Sequence, residues 1–249
     1  MVLPMLIVDK IIELIYPSSI YCMSCGNIID ESRNYSLCNE CFGRFKWIDN
    51  RTCIKCGKRL GENNIENTCY DCMYNQHEFD KGYACVQYGT TEKQLIFNLK
   101  YNKKTYIARV MAEIMHDRIL IEDLDYDIVI PVPIHKNKNR KRGFNQAGLV
   151  AKYFCKKQCT KINNNIVSRV TDTEPLKSKD PIERKMSLIK AFKVEDKAKS
   201  LIYNKKVLII DDIYTTGATV DALSKVLRKE GVSKIYFLVF AIGGDLNNQ

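Results

Sequence analysis

The sequence predicts an α/β fold, a mostly parallel sheet with flanking helices, preceded by a small cysteine-rich module. Two observations predict it. From about residue 78 onward, apolar strand-like runs alternate with segments of helical periodicity, and before that point eight of the eleven cysteines fall in four Cys-x-x-Cys pairs. With 249 residues the chain exceeds one average domain, so a core domain with an appended module is the natural division. Residues 1–77 are expected to hold an amino-terminal helix and the cysteine module, and residues 78–249 the α/β domain.

The four pairs are Cys22/Cys25, Cys38/Cys41, Cys53/Cys56 and Cys69/Cys72, and the first set recurs 31 positions later as the second. Gly26 and Gly57 follow the leading pair of each unit, as in a tight knuckle whose amides turn toward thiolate sulfur and which needs a positive φ angle. Tetrahedral Zn2+ takes four soft ligands, and a segment this short cannot fold on its apolar surface alone without such a staple. The zinc is therefore expected to be structural. The repeat favours one ion per unit, although a crossed set joining Cys22/Cys25 to Cys53/Cys56 uses the same residues, so one or two ions fit. Arg44, Lys46, Lys55, Lys58 and Arg59 offer the module a nucleic-acid face, with a solvated charged surface as the plainer alternative.

An odd cysteine count, dominated by such pairs, argues against a secreted disulfide scaffold and points to a reducing, cytoplasmic setting. Cys85, Cys155 and Cys159 read as small buried hydrophobes. The first eight residues are apolar but have no basic leader, and no apolar run reaches spanning length, so a soluble protein without a membrane span is expected. Apolar residues at 45% and charged ones at 27% are globular composition, and a formal charge of +10 favours polyanionic ligands such as diphosphates or nucleic acid.

The α/β elements follow in order. Alternating apolar positions mark a strand at Tyr83–Tyr88; helical patterns cover Thr91–Leu99 and Ile107–Ile119; Ile128–Ile130 is a strand halted by Pro131 and Pro133. A helix over Asn145–Lys156, strands at Ile166–Ser168 and Lys206–Ile210, a helix over Thr219–Glu230 and a strand at Ile235–Ala241 complete the alternation. Ligands of such sheets gather beyond the carboxyl ends of the strands, where the loops after Ile130 and Ile210 converge.

Both loops carry distinctive chemistry. Residues 207–219 read as a buried strand, two acids, and a small-residue turn opening a helix. Backbone amides of Thr215, Thr216, Gly217, Ala218 and Thr219 at a helix start suit a phosphate, and Gly217 lets the backbone approach it. The adjacent carboxylates of Asp211 and Asp212 suit vicinal ribose hydroxyls or a hydrated divalent ion. A Walker B strand is excluded by the lack of any Gly-x-x-x-x-Gly-Lys loop. After Pro131-Val132-Pro133, residues 135–142 hold five basic side chains, read as a basic loop. A diphosphate with Mg2+ fits it, Arg142 first and Arg140 beside it, as does the backbone of a single strand of DNA or RNA, with Phe144 for stacking.

The thirteen positions 207–219 resemble the 5-phosphoribosyl 1-diphosphate signature of the phosphoribosyltransferases. By that resemblance the domain has the type I phosphoribosyltransferase-like fold, Asp211 and Asp212 hold the ribose hydroxyls, and 215–219 hold the 5′-phosphate. From about Leu14 to Ala241 the chain resembles the ComF competence family, phosphoribosyltransferase-like proteins with an amino-terminal double zinc ribbon. The matching residues are Tyr16-Pro17, Lys100-Tyr101, Pro131-Val132-Pro133, Arg142-Gly143-Phe144-Asn145-Gln146, Arg184, Ala191-Phe192 and the Asp-Asp-Thr-Thr-Gly signature. The resemblance implies diphosphate or DNA binding by Arg140, Arg142, Asn145, Gln146 and Arg184, and a setting in DNA uptake with helicase and processing proteins as partners. Two departures, Leu176 and Ser187 where the family carries glutamine and asparagine, touch the acceptor side.

No nucleophile motif surrounds His77, His116 or His135. Two function classes fit these residues. One is transfer from 5-phosphoribosyl 1-diphosphate to a nitrogen nucleophile, with no catalytic side chain assigned; the other is a binding module that senses the ligand while gripping single-stranded DNA.

Overall fold

The computed structural model describes residues 20–30, 32–62, 64–160, 162–171 and 190–244. Two compact units result, Met1–Phe45 and Lys46–Gln249. The division by compactness falls between the two cysteine units.

In the first unit Tyr21 and Ile28 bridge antiparallel, and Gly26, at φ 79°, closes the knuckle by donating its amide to the Cys22 carbonyl at 2.8 Å. Helix α1, Asn39–Arg44, starts on Cys38, whose sulfur accepts from the Cys41 amide at 3.4 Å. Met23, Ile29, Leu37 and Phe45 are the buried apolar residues around Cys22 and Cys41.

The second unit opens with the same device 31 residues on. Thr52 and Arg59 bridge, Gly57 has φ 74°, and its amide donates to the Cys53 carbonyl at 2.9 Å. Helix α2, Tyr70–Tyr74, starts on Cys69. The positive φ expected of both glycines is present. Their own amides close the turn on a carbonyl oxygen, while in the first unit the amides of Ser24, Cys25 and Cys38 are directed at the Cys22 sulfur and that of Cys41 at the Cys38 sulfur.

Four parallel strands follow, in the order β1 (Lys81–Gln87), β6 (Lys234–Ile242), β5 (Lys206–Tyr214), β2 (Ile128–Pro131). Residues 46–48 pair antiparallel along the free edge of β1, through Trp47 opposite Val86, and so cover an otherwise exposed ladder. Between β1 and β2 lie α3 (Thr90–Tyr101) and α4 (Tyr106–Glu122); after β2 come α5 (Lys136–Arg142) and α6 (Gln146–Gln158). The short strand expected near Ile166 is β3 (Val167–Arg169). It leaves the main sheet and pairs antiparallel with β4 (Phe192–Val194), a strand the pattern does not mark because three residues show no period. The four-residue α7 (Lys199–Ile202) precedes β5, and α8 (Ala218–Lys229) joins β5 to β6.

Alternate residues Val207 and Ile209 of β5 and Ile235, Phe237 and Val239 of β6 point to one face of the sheet. There they share a core with Val220, Leu223 and Leu227 of α8. Cys53, Cys56, Cys69 and Phe79 belong to that same core, so the second cysteine unit is part of the packing of the α/β sheet. Cys85 and Cys155 are buried as expected; Cys159 is exposed, because it takes the left-handed position (φ 54°) that ends α6. Among the described residues no helix is long and apolar enough to cross a membrane.

Candidate functional site

Strand β5 runs four residues beyond Ile210, to Tyr214, because β6 continues to pair with it up to Ile242. The two acids expected at the strand's end therefore lie within it. β2 stops at Pro131, opposite Ile210, so from Asp211 onward β5 is flanked by β6 alone among the described strands. The acids thus border the space beyond the carboxyl end of β2, where ligands of open parallel sheets bind.

The two carboxyls differ in their surroundings. Asp211, 9% exposed, accepts from the Asp212 amide at 2.8 Å. Burial, and then the neighbouring charge of Asp212, push its carboxyl well above the usual carboxylate range. Asp212, 2% exposed, has a cation at hand: Lys100 Nζ lies 2.5 Å from Oδ2. Gln146 Nε2 reaches Oδ1 at 3.5 Å, and Arg142 donates to Gln146 Oε1 at 2.9 Å and to the Tyr101 hydroxyl at 3.2 Å. One connected polar network therefore joins the end of α3, the α5–α6 corner and β5. In the sequence Lys100 stands out only through the family resemblance; its place beside Asp212 depends on a contact across 112 positions that no local spacing reveals.

Past Tyr214 the chain turns through exposed Thr215 and Thr216 to buried Gly217, which at φ 77° starts α8 at Ala218. Any Cβ on Gly217 would strike the Tyr214 hydroxyl, so glycine is required on two counts. Asp221 donates the first helical amide, to the Gly217 carbonyl at 2.8 Å. The amides ahead of it lie at the positive end of a twelve-residue helix, beside Thr219.

The basic segment after β2 is a helix, α5, and not a loop. Lysines and arginines are good helix formers, His135 caps it by accepting from the Asn137 amide at 3.3 Å, and Gly143 stops it at φ 85°. Arg140 is exposed on this helix, and Arg142 is half-buried. Asn145 donates to the Val132 carbonyl at 3.0 Å and so braces the end of β2, while Gln146 is buried against Asp212. Phe144 is half-buried; Phe97 and Tyr101 form an exposed ring pair, 4.9 Å apart, with the Arg142 guanidinium 5.1 Å from the Tyr101 ring centre. Arg184, Leu176 and Ser187 lie outside the described residues.

The cysteines form two separate sets of four, Cys22, Cys25, Cys38, Cys41 and Cys53, Cys56, Cys69, Cys72, each with all sulfurs within 4.8 Å of one another. The crossed pairing is not used. A tetrahedral ion with metal–sulfur bonds near 2.3 Å sets its ligands about 3.8 Å apart. Cys25–Cys38 at 3.8 Å and Cys56–Cys69 at 3.6 Å fit it. Hydrogen bonding between sulfurs in the second set drives the Cys53 thiol far down and those of Cys56 and Cys72 far up; a dication allows all four to ionise together.

The proposed nucleic-acid face of this module loses two of its cations. Lys58 is 1% exposed and pairs with Asp71 at 2.5 Å, and Lys55 turns inward to the Phe79 carbonyl and ring. Arg44 pairs with Glu40 and Arg59 with Asp49.

Comparison with known proteins matches a double zinc ribbon domain over residues 11–73 and a phosphoribosyl transferase domain over residues 140–246. The two four-cysteine sets are accordingly Zn2+ sites. Competence protein F of Haemophilus influenzae is 27% identical over 219 residues, covering 86% of this chain and 93% of its own. ComFC of Streptococcus pneumoniae is 24% identical, over 86% of this chain and 96% of its own. The DNA utilization protein YhgH of Escherichia coli K12 is 23% identical, over 81% and 88%. A solved hypoxanthine phosphoribosyltransferase from Staphylococcus aureus overlays 53% of this chain and 61% of its own at 14% identity and a TM-score of 0.32, too loosely to bear on chemistry. Over most of their length the chain is similar to competence protein F, ComFC and YhgH, and it combines a double zinc ribbon with a phosphoribosyltransferase-type α/β domain.

Proposed function

We propose that the α/β domain binds 5-phosphoribosyl 1-diphosphate with Mg2+, and that the protein acts in the cytoplasm in DNA uptake during natural transformation. One observation carries the ligand reading: the paired acids Asp211 and Asp212 sit on the free flank of β5, directly ahead of a glycine-led helix start. In this reading Asp211 and Asp212 receive the ribose hydroxyls, and Thr215, Thr216, Gly217, Ala218 and Thr219 surround the 5′-phosphate. Arg142 and Lys100 supply cationic charge toward the diphosphate, to which Mg2+ adds its own. The reaction class such a site serves is displacement at ribose C1′: the bond to diphosphate oxygen breaks, diphosphate leaves with the electron pair, and a nitrogen nucleophile forms the new bond. Positioning and charge stabilisation would do most of the work. The competence proteins among its relatives support the uptake setting, in which a helicase and DNA-processing proteins would be the partners.

Calorimetric titration of the zinc-loaded protein with 5-phosphoribosyl 1-diphosphate and magnesium tests the ligand. Saturable heat is expected, with affinity lowered at least ~100-fold in Asp211→Asn/Asp212→Asn, since both hydroxyl acceptors lose their charge-assisted bonds. Folded wild type that gives no heat overturns the proposal.

A second reading, single-stranded DNA binding, is favoured by the exposed Phe97–Tyr101 pair beside Arg142 and the basic α5. It predicts salt-sensitive binding that weakens by about 1–3 kcal/mol when each ring is replaced by alanine, read by fluorescence anisotropy. Unchanged affinity in Phe97→Ala/Tyr101→Ala removes that surface from consideration.

A further inference from the structure

We infer that the second zinc knuckle is the rear support of the phosphate loop, so that the ion held by Cys53, Cys56, Cys69 and Cys72, and not the ion of the first unit, is thermodynamically coupled to phosphate binding. The inference rests on the phosphoribosyl reading of residues 215–219.

Three contacts carry it. First, the knuckle turn itself grips the start of β1. Gly82 donates its amide to the Lys55 carbonyl at 2.8 Å, and a Cβ on Gly57 would lie 2.6 Å from the Gly82 carbonyl oxygen. Second, Phe79, buried at 1% exposure in the core that holds Cys53, Cys56 and Cys69, sets its ring edge-on to Phe237 at 4.8 Å and to Tyr214 at 6.2 Å. Tyr214 stacks flat on Phe237 at 4.8 Å and 3°, and its hydroxyl fills the position a Cβ would take on Gly217. Third, His77, five residues past Cys72, places Nδ1 2.8 Å from Asp221 Oδ2, and Glu78 donates its amide to Asp221 Oδ1 at 3.1 Å. Asp221 is in the first turn of α8.

Residues 77–79 thus hold both ends of the phosphate loop, Tyr214 before it and Asp221 after it. The segment is anchored by the last zinc ligand of the second unit. His77 also stacks on Phe79 at 4.8 Å, which makes the two routes one packed element. A ribbon this small keeps its shape only with its metal. Loss of the second ion therefore frees 77–79, and the loop's amides lose the fixed arrangement that lets them converge on one phosphate. His77 and Tyr214 are positioning residues in this scheme, since they act through the loop.

Linkage makes the coupling measurable in reverse, because a ligand whose site depends on an ion must also retain that ion. The experiment uses the full zinc-loaded chain and follows zinc transfer to a chromophoric chelator with and without saturating ribose 5-phosphate. At equilibrium with the chelator, the affinity for one of the two ions is expected to rise by roughly 5- to 100-fold. In Cys25→Ser, which retains only the second ion, the single remaining zinc should show that protection. His77→Ala should keep both ions yet bind ribose 5-phosphate about 5- to 10-fold more weakly and lose the protection. His77→Gln, which keeps a hydrogen bond to Asp221, should recover part of both. Calorimetric binding of ribose 5-phosphate without protection of either ion, or with equal protection of both, overturns the inference and leaves the phosphoribosyl reading standing. Wild type that binds no ribose 5-phosphate overturns both.

Discussion

The two cysteine units are the same local structure in two different surroundings. Each bridges the residues flanking its knuckle, closes the turn with a positive-φ glycine, and starts a short helix on its third cysteine, at a constant offset of 31. In the first, Cys25 is exposed and Cys38 half-buried. In the second, Cys53, Cys56 and Cys69 are in the core of the α/β sheet. Asn27 and Glu40 of the first unit are exposed, whereas their counterparts Lys58 and Asp71 form a pair with the lysine fully buried. Local sequence therefore makes the metal site, and packing decides how much of the molecule depends on it.

Three experiments probe that difference. The largest effect is expected from breaking the metal sites one at a time. Cys56→Ser should remove an ion whose binding is worth on the order of 10 kcal/mol to a small ribbon, enough to unfold much of Lys46–Gln249. Cys25→Ser should leave the main calorimetric transition in place. Equal losses in the two variants would contradict the assignment of the second unit to the sheet's core.

The glycines come next. Gly26→Ala should cost about 1–2 kcal/mol, the strain of a left-handed alanine, since no described atom lies within 4 Å of the new methyl. Gly57→Ala adds a collision with the Gly82 carbonyl and should cost roughly 1–3 kcal/mol more, measured as the difference in denaturant midpoints.

The charge pairs should differ less. Asp71→Ala leaves the Lys58 ammonium buried without its carboxylate and should cost about 1–3 kcal/mol, reduced from the fully buried case because Asp71 is 27% exposed. Glu40→Ala removes only a surface partner of Arg44 and should change stability by less than about 0.5 kcal/mol.

A fourth change, outside the cysteine units, carries the opposite sign. Asp211 binds its proton more tightly in the fold than in the unfolded chain, so wild-type stability falls as pH rises past the ordinary carboxylate range. Asp211→Asn removes that loss. Its melting temperature should match wild type below about pH 4 and exceed it by roughly a few degrees at pH 7, while ligand binding is weakened. A variant less stable than wild type at neutral pH would show that Asp211 is held by contacts beyond those with Asp212.

Much of this was legible in the sequence. The cysteine repeat favoured one four-cysteine site per unit while leaving a crossed set open, and the run from Val207 to Thr219 predicted a strand, two acids and a helix start. Both are local patterns written in spacing. Other features were not legible. Lys136–Arg142 read as a basic loop because charge masks helical period in a segment with no apolar face. Lys58 read as a surface cation because nothing near it in sequence marks burial. The pairing of Lys100 with Asp212 joins residues from two separate βα units.

By itself the sequence determined what each short segment offers: four soft metal ligands at each pair of knuckles, and two acids ahead of a glycine-led helix start on β5. These depend on donor type, turn geometry and glycine placement within a few residues. Only the tertiary structure decided that one knuckle is joined to the α/β core and reaches the turn between β5 and α8 through His77, Phe79 and Tyr214. That link depends on side-chain packing across the sheet, where residues more than 130 positions apart meet, and no local pattern encodes it.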